Sequence, residues 1–328
     1  MKSSRSGDTV SRETQLPPPT QTRTIVVANQ KGGVGKTTTA VNIAAALARG
    51  GLEVLVMDLD PQGNASTALG VDHHSGIAGT YEVLLQHQSI ASVQQQSPES
   101  ETLSVVPATI DLAAAEIELV PQVAREQRLK KALAAHLREH PVDYIIFDCP
   151  PSLGLLTINA LVAASEILIP IQCEYYALEG VTQLMRTIQL VREELNPELD
   201  LSTILLTMFD ARTKLSAQVG EQVRQHFPEQ TLVTLIPRSV RLSEAPSYGT
   251  TILGYDPQSV GAKAYVKAAG EIATKVGEVS KQATSAADGT LTMRIQAEQA
   301  EVDGFIGKPF ELDELLAMVG ILAASGRV

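Results

Sequence analysis

The chain has 328 residues, 44% of them hydrophobic and 4% aromatic, and its 26 Lys and Arg against 37 Asp and Glu give a formal net charge of −11. That is enough apolar material for one substantial α/β core with tails, while the acidic balance excludes a uniformly basic nucleic-acid binder and leaves room for a local basic patch or a basic peptide partner. Two cysteines exclude a disulfide framework, and the start from Met1 to Gly7 lacks an apolar stretch, so nothing reads as a signal peptide and the cytoplasm is the expected compartment.

Residues 1–22 are polar and carry Pro17, Pro18 and Pro19, the composition of an arm without structure. Thr24 to Ala28 is short, β-branched and apolar, which predicts a strand, and the alanine-rich run from Thr37 to Arg49 predicts a buried helix. Between them stands Gln30-Lys31-Gly32-Gly33-Val34-Gly35-Lys36-Thr37-Thr38. A glycine-rich strand-to-helix turn gathers backbone N–H groups and the positive helix end around an anion, and its glycines let phosphate approach. Lys36 is expected to reach the β- and γ-phosphates and the Thr37 hydroxyl to ligate Mg2+. The usual pattern would have its first glycine where Gln30 stands, and a second lysine, Lys31, lies five residues before Lys36.

The next strand, Val54 to Asp58, runs into Asp58-Leu59-Asp60-Pro61-Gln62-Gly63-Asn64. Carboxylates at the C-terminal end of a parallel strand face the ligand crevice, so Asp58 is expected in the Mg2+ shell and Asp60 beside the attacking water. Short segments lead to a strand at Leu103 to Val106, and Tyr144 to Asp148 places four apolar residues before a third carboxylate, the pattern that holds Mg2+ through its water shell. Leu153 to Ile171 approaches the length of a membrane span, but Thr157, Asn159, Ser165 and Glu166 divide it into a helix and a strand, Ile167 to Ile171. Cys149 and Cys173 sit in apolar, strand-like contexts that predict buried, reduced thiols.

Leu178, Val181, Leu184, Ile188, Val191 and Leu195 recur at helical spacing, strands follow at Ser202 to Met208 and Leu232 to Ile236, and a last helix is expected over Ser259 to Val276. The alternation predicts an α/β fold with a mostly parallel twisted sheet and helices on both faces, a domain over 23–280 with a linker and tail over 281–328.

The Lys-Gly-Gly-x-Gly-Lys-Thr turn followed by the Asp58 to Asn64 string resembles the deviant Walker A cradle of the ParA/Soj family of partition ATPases, a branch of the P-loop NTPase fold. The resemblance covers about residues 24–278. It implies ATP and Mg2+ as ligands, with Gln30, Lys31, Gly32, Gly33, Val34, Gly35, Lys36, Thr37 and Thr38 forming the nucleotide cradle. It implies catalytic roles for Lys31, Lys36 and Asp60, metal roles for Thr37, Asp58 and Asp148, and a homodimer in the ATP state in which Lys31 crosses to the partner's phosphates. Pro237 and Ser239 would border the adenine with Asp210 nearby, and Arg212, Arg238 and Arg241 would bind DNA without sequence preference. A ParB-type centromere-binding partner, a nucleoid location and no membrane attachment complete the expectation. A MinD-like division-site regulator shares the cradle but needs a basic amphipathic C-terminal helix, whereas Glu311 to Glu314 is acidic. An iron-protein-like electron carrier would need two cysteines at the dimer face, and an ATP-dependent DNA-binding regulator would carry an added N-terminal region that residues 1–22 are too short to form. Gly304 to Phe310, with Lys308, resembles the last strand and helix of a receiver domain, too little to supply a receiver's function.

Overall fold

The computed structural model describes residues 15–174 and 179–275; the expected linker and the receiver-like segment lie outside them. Among the described residues eight strands form one sheet: β1 (Arg23–Val27), β2 (Val54–Asp58), β3 (Gln95–Gln96), β4 (Leu103–Val106), β5 (Tyr144–Asp148), β6 (Glu166–Gln172), β7 (Asp200–Phe209) and β8 (Thr231–Pro237). Their order is β3-β4-β2-β5-β1-β6-β7-β8. Every pairing is parallel except that of β3 with β4, a two-residue edge strand that its Gln-Gln sequence did not announce. Leu153 to Ile171 does divide, into the helix Leu155–Ala163 and β6.

Burial explains why the central strands read as continuous apolar runs. Ile25 and Val27 of β1, Val54 and Val56 of β2 and Tyr144 and Ile146 of β5 pack on one face, against the helices Lys36–Arg49 and Val260–Thr274. Val26, Leu55, Met57, Ile145 and Phe147 pack on the other, against the helices Arg128–Leu137, Leu155–Ala163 and Glu179–Glu194. Alternate side chains of a strand point to opposite faces, so a sheet covered on both sides leaves no position for a polar side chain until the strand ends. Asp58 and Asp148 continue the Val54–Val56 and Tyr144–Ile146 series, which turns both towards the helix Lys36–Arg49. That helix lies close to the sheet because five of its fourteen residues are alanine, and it stops at Gly50 and Gly51.

At the opposite, N-terminal edge of the strands, Arg23 ties four elements together. Its guanidinium makes two hydrogen bonds to Glu166, at 2.6 and 2.7 Å, and donates to the Tyr144 hydroxyl and to the Ile272 carbonyl at 2.6 Å. Both partners of the ion pair are about nine-tenths buried. Burial alone would lower the arginine's pKa, but the bonds and charge of Glu166 outweigh it and hold the group above its ordinary range. Removing one member of a buried pair strands the other, so Glu166→Ala should destabilise the domain by about 3–5 kcal/mol in urea unfolding, against well under ~1 kcal/mol for an exposed carboxylate.

Of the polar segment 1–22, residues 15–22 are described and contain neither helix nor strand. Leu16 nevertheless packs on the core, its N–H bonding the Gly50 carbonyl at 3.0 Å, and a Cβ at Gly50 would meet Leu16 at 2.6 Å. An apolar residue in a polar arm is the feature that composition averages away.

Candidate active site

The chain leaves β1 towards one edge of the sheet and leaves β5 towards the other, so the carboxyl ends of these strands open a crevice at a topological switch point. Across it, β-register places Val27 beside Asp148 and Asp58 beside Asp148, bringing two carboxylates more than eighty residues apart in sequence to one level.

The turn from Asn29 to Lys36 is held from below. Asn29 donates to the Pro170 carbonyl at 2.8 Å and accepts the Lys31 N–H at 3.0 Å, and Thr207 donates to the Val34 carbonyl at 2.8 Å. Val34 is buried, pointing the turn inward, while Gly32 and Gly33 are exposed. Gly33 and Gly35 have φ of 74° and 89°, a region that strains residues with a Cβ. A Cβ at Gly32, Gly33 or Gly35 would meet nothing within 4 Å, so the glycines leave open space above the helix N-terminus. Among the described residues the helix has no side-chain cap there, and its first N–H groups are free to serve an anion.

Lys36 is buried beneath that space and its Nζ donates to the Lys31 carbonyl at 3.2 Å. Burial lowers its pKa, opposed by the charges of Asp148, Asp60 and Cys149. Lys31 and Thr38 are half-buried, as are Gln30 and Thr37.

The three aspartates have unlike surroundings. Asp58 is fully buried and already engaged: Oδ2 accepts from the Ser66 N–H at 2.8 Å and hydroxyl at 2.7 Å, and Oδ1 accepts from the Asp60 N–H at 3.1 Å. Those bonds set the turn that carries Asp60. Burial nevertheless pushes the Asp58 carboxyl up to about 7, with the Asp60 charge adding to it and the Ser66 and Asp60 bonds opposing. Asp60 is buried to 8% exposure and accepts the Gln62 N–H at 3.0 Å.

Asp148 is fully buried with neither carboxylate oxygen in a hydrogen bond of normal geometry, although the Thr37 hydroxyl stands near enough to stabilise its charge. Burial first, and then the charge of Asp58, raise its pKa well above the carboxylate range. An unpartnered buried carboxylate beside a hydroxyl, below an open anion cradle, is a donor set that suits a hydrated divalent cation.

Two like charges in one buried site make ligand-free stability depend on pH. Both folded-state pKa values are raised, so the folded protein holds protons that the unfolded chain has lost, and stability falls as pH rises from about 4 towards 7. Asp148→Asn should therefore be more stable than the parent at neutral pH without ligand, by roughly 1–3 kcal/mol, the advantage fading as pH falls towards about 4. Thermal melts across that range measure it.

The residues expected beside adenine sit on neighbouring loops after β7 and β8, where the Arg238 N–H bonds the Phe209 carbonyl at 3.1 Å. Pro237 ends β8 and Ser239 precedes the short helix Val240–Glu244. Asp210 is engaged by Arg212, whose Nε and Nη2 donate at 2.9 and 2.7 Å and hold the carboxyl down at about 2. The other two arginines also lie against acids, Arg238 on Glu174 and Arg241 on Asp256 at 3.9 Å. All three arginine side chains are more than half exposed, where such pairs contribute little and yield readily to a competing anion.

Sequence reasoning passed over Ser66, Asn29 and Thr207. Ser66 could have been suspected as a small polar residue two positions after the aspartate string, in the short helix Asn64–Ala68; Thr207 had no local signal. Cys149 and Cys173 are buried and free, as expected. No helix among the described residues is long and apolar enough to cross a membrane.

Comparison with known proteins adds to this geometry. The model of an AAA domain family matches residues 22–201. Sporulation initiation inhibitor protein Soj of Bacillus subtilis is 53% identical over 249 residues, spanning 76% of this chain and 97% of that protein. Chromosome partitioning protein ParA of Myxococcus xanthus is 52% identical over 244 residues, spanning 74% of this chain and 85% of its own. A solved Mycobacterium smegmatis protein described as cobyrinic acid a,c-diamide synthase, with bound ADP and magnesium, superimposes with a TM-score of 0.66 at 40% identity, over 76% of this chain and 93% of that one.

Proposed function

The chain belongs to the Soj and ParA family of partitioning ATPases, and from that membership we propose a nucleotide switch in which ATP joins two copies, the dimer binds DNA without sequence preference, and a ParB-type partner triggers hydrolysis. It is an ATPase with a role in partitioning, working with ATP and Mg2+. The Soj and ParA relatives outweigh the synthase description of the solved structure, because identity to them is 53% and 52% against 40%.

The observation that carries the reading is Asp148, buried with both oxygens unpartnered beside Thr37, under a glycine cradle with open space above it. Lys36, now on the Lys31 carbonyl, would exchange that bond for a phosphate oxygen, and the N–H groups from Gly32 to Thr38 would take the others. Mg2+ held through Thr37 and Asp148 would neutralise phosphate charge, whereas Asp58, expected in the same shell, has both oxygens engaged by Ser66 and the Asp60 N–H and would brace the turn. Asp60, fixed by Asp58 through its own N–H, would orient the attacking water. Pro237, Ser239 and Asp210 would border the base, Asp210 after parting from Arg212.

ATP turnover measured with and without DNA and a basic partner peptide tests the whole. Synergistic stimulation by the two supports it, and indifference to both refutes it. DNA binding in the ATP state should weaken steeply with salt, because phosphate contacts release counterions. Arg212→Ala, Arg238→Ala and Arg241→Ala should each lower the slope of log affinity against log salt by about 1 and weaken all DNA sequences alike. Fluorescence anisotropy with two unrelated duplexes across a salt series reads both quantities.

A further inference from the structure

A second concave site lies on the sheet face away from the helix Lys36–Arg49. It is a cavity of about 440 Å³ between the helices Thr80–Leu85, Ile90–Val93 and Arg128–Leu137, and it shares no residue with the glycine cradle. That volume falls in the range of small-molecule sites.

Among its charged lining residues, Arg128 and Lys131 outnumber Glu139. Arg128 donates to the Leu84 carbonyl at 2.8 Å and to Gln122 Oε1 at 2.9 Å, and lies 3.4 Å from His87 Nε2. The Leu84 carbonyl and the Gln122 amide oxygen carry no formal charge. Arg128 Nε is buried without a partner, and among the described residues no carboxylate pairs with this guanidinium. Lys131 adds a second cation at the rim. His136 is 6% exposed, its Nδ1 unpartnered, and its ring stacks on that of His140 at 5.0 Å. The acid in the lining is the exposed Glu139, and among the described residues no group of three metal-binding side chains exists to make a cation site of the histidines.

The rest of the lining mixes the polar Gln88 and Ser89 with apolar side chains, among them Val83 and Ile90 at the base, 2% and 1% exposed, and Val123 at the rim, 90% exposed. Two of the three non-glycine residues with positive φ among those described, His87 at 57° and Ala124 at 50°, also line this cavity. Such conformations cost free energy and persist where surrounding structure insists on them.

A half-buried guanidinium without a counter-charge is costly, and an anion placed against it recovers that cost. We propose that this cavity binds a small amphipathic anion, a phosphate monoester or carboxylate on an apolar body, with Arg128 and Lys131 taking the charge and Val83, Ile90 and Val123 the body.

Phenyl phosphate, phenol and inorganic phosphate are the probes, titrated calorimetrically into the full chain with ADP and Mg2+ present to fill the cradle. Saturable binding of phenyl phosphate is expected, tighter than that of either fragment. It should weaken about tenfold in Arg128→Gln, the scale of one charge-assisted bond, and measurably in Lys131→Gln. Lys131 is exposed, so its variant decides the matter even if loss of Arg128 disturbs folding. No saturable binding, equal affinity for inorganic phosphate, or unchanged affinity in Lys131→Gln would each overturn the proposal.

Discussion

ATP-dependent dimers are expected to vanish from Lys31→Ala while ATP binding stays measurable. Lys36 and the N–H groups of the turn would hold the nucleotide within one copy, and Lys36 is buried beneath the cradle. Lys31 is placed otherwise. Its backbone is locked, the N–H to Asn29 and the carbonyl to Lys36, but its half-buried ammonium has no bond among the described residues. A rigid backbone carrying an uncommitted cation beside a phosphate site is suited to neutralise charge across an interface, as an arginine finger does, and such groups are worth about 10³–10⁵ in rate. Turnover should therefore fall about 10³-fold or more, whereas equilibrium binding of a fluorescent ATP analogue should change little. Light scattering that still showed dimers in Lys31→Ala would place its role within one copy. Lys31→Arg should retain part of the dimerisation, because it keeps the charge.

Asp60→Ala should separate binding from hydrolysis. Asp60 is close to the buried pair but not part of it: Asp58 holds its N–H, and its own carboxylate spends one bond on Gln62. The other oxygen remains for a water molecule. Positioned acid–base groups contribute about 10²–10⁴ in rate, so turnover should drop by that factor while nucleotide-dependent dimers form and persist on DNA. The two variants thus fail in opposite ways, Lys31→Ala before the dimer and Asp60→Ala after it. Single-turnover hydrolysis alongside DNA retention distinguishes them. Rapid hydrolysis by Asp60→Ala would reassign the water-orienting role.

Much of the fold was legible because the strands are covered on both faces. β1, β2 and β5 appear as unbroken apolar runs and match their expected positions to within a residue, and the helices between them show their own period. The boundaries that moved are end effects. Lys36 joins the helix at its start because Gly35 can take the positive φ just before it, and the last helix begins at Val260 because Ser259 caps it through the Ala262 N–H. β3 escaped notice because two glutamines at a sheet edge carry no apolar pattern.

By itself the sequence determined the glycine-rich turn, the order of the three aspartates and the family, since each is carried by a local string at fixed spacing. Tertiary structure decided what those residues meet. Parallel register set Asp58 beside Asp148, burial left Asp148 unpartnered while Ser66 satisfied Asp58, and loops from distant strands paired Arg238 with Glu174. The cavity around Arg128 likewise joins segments more than forty residues apart. Spacing governs contacts along a strand or turn, but contacts between elements depend on how the sheet is ordered and which face is covered, and no short stretch of chain encodes that.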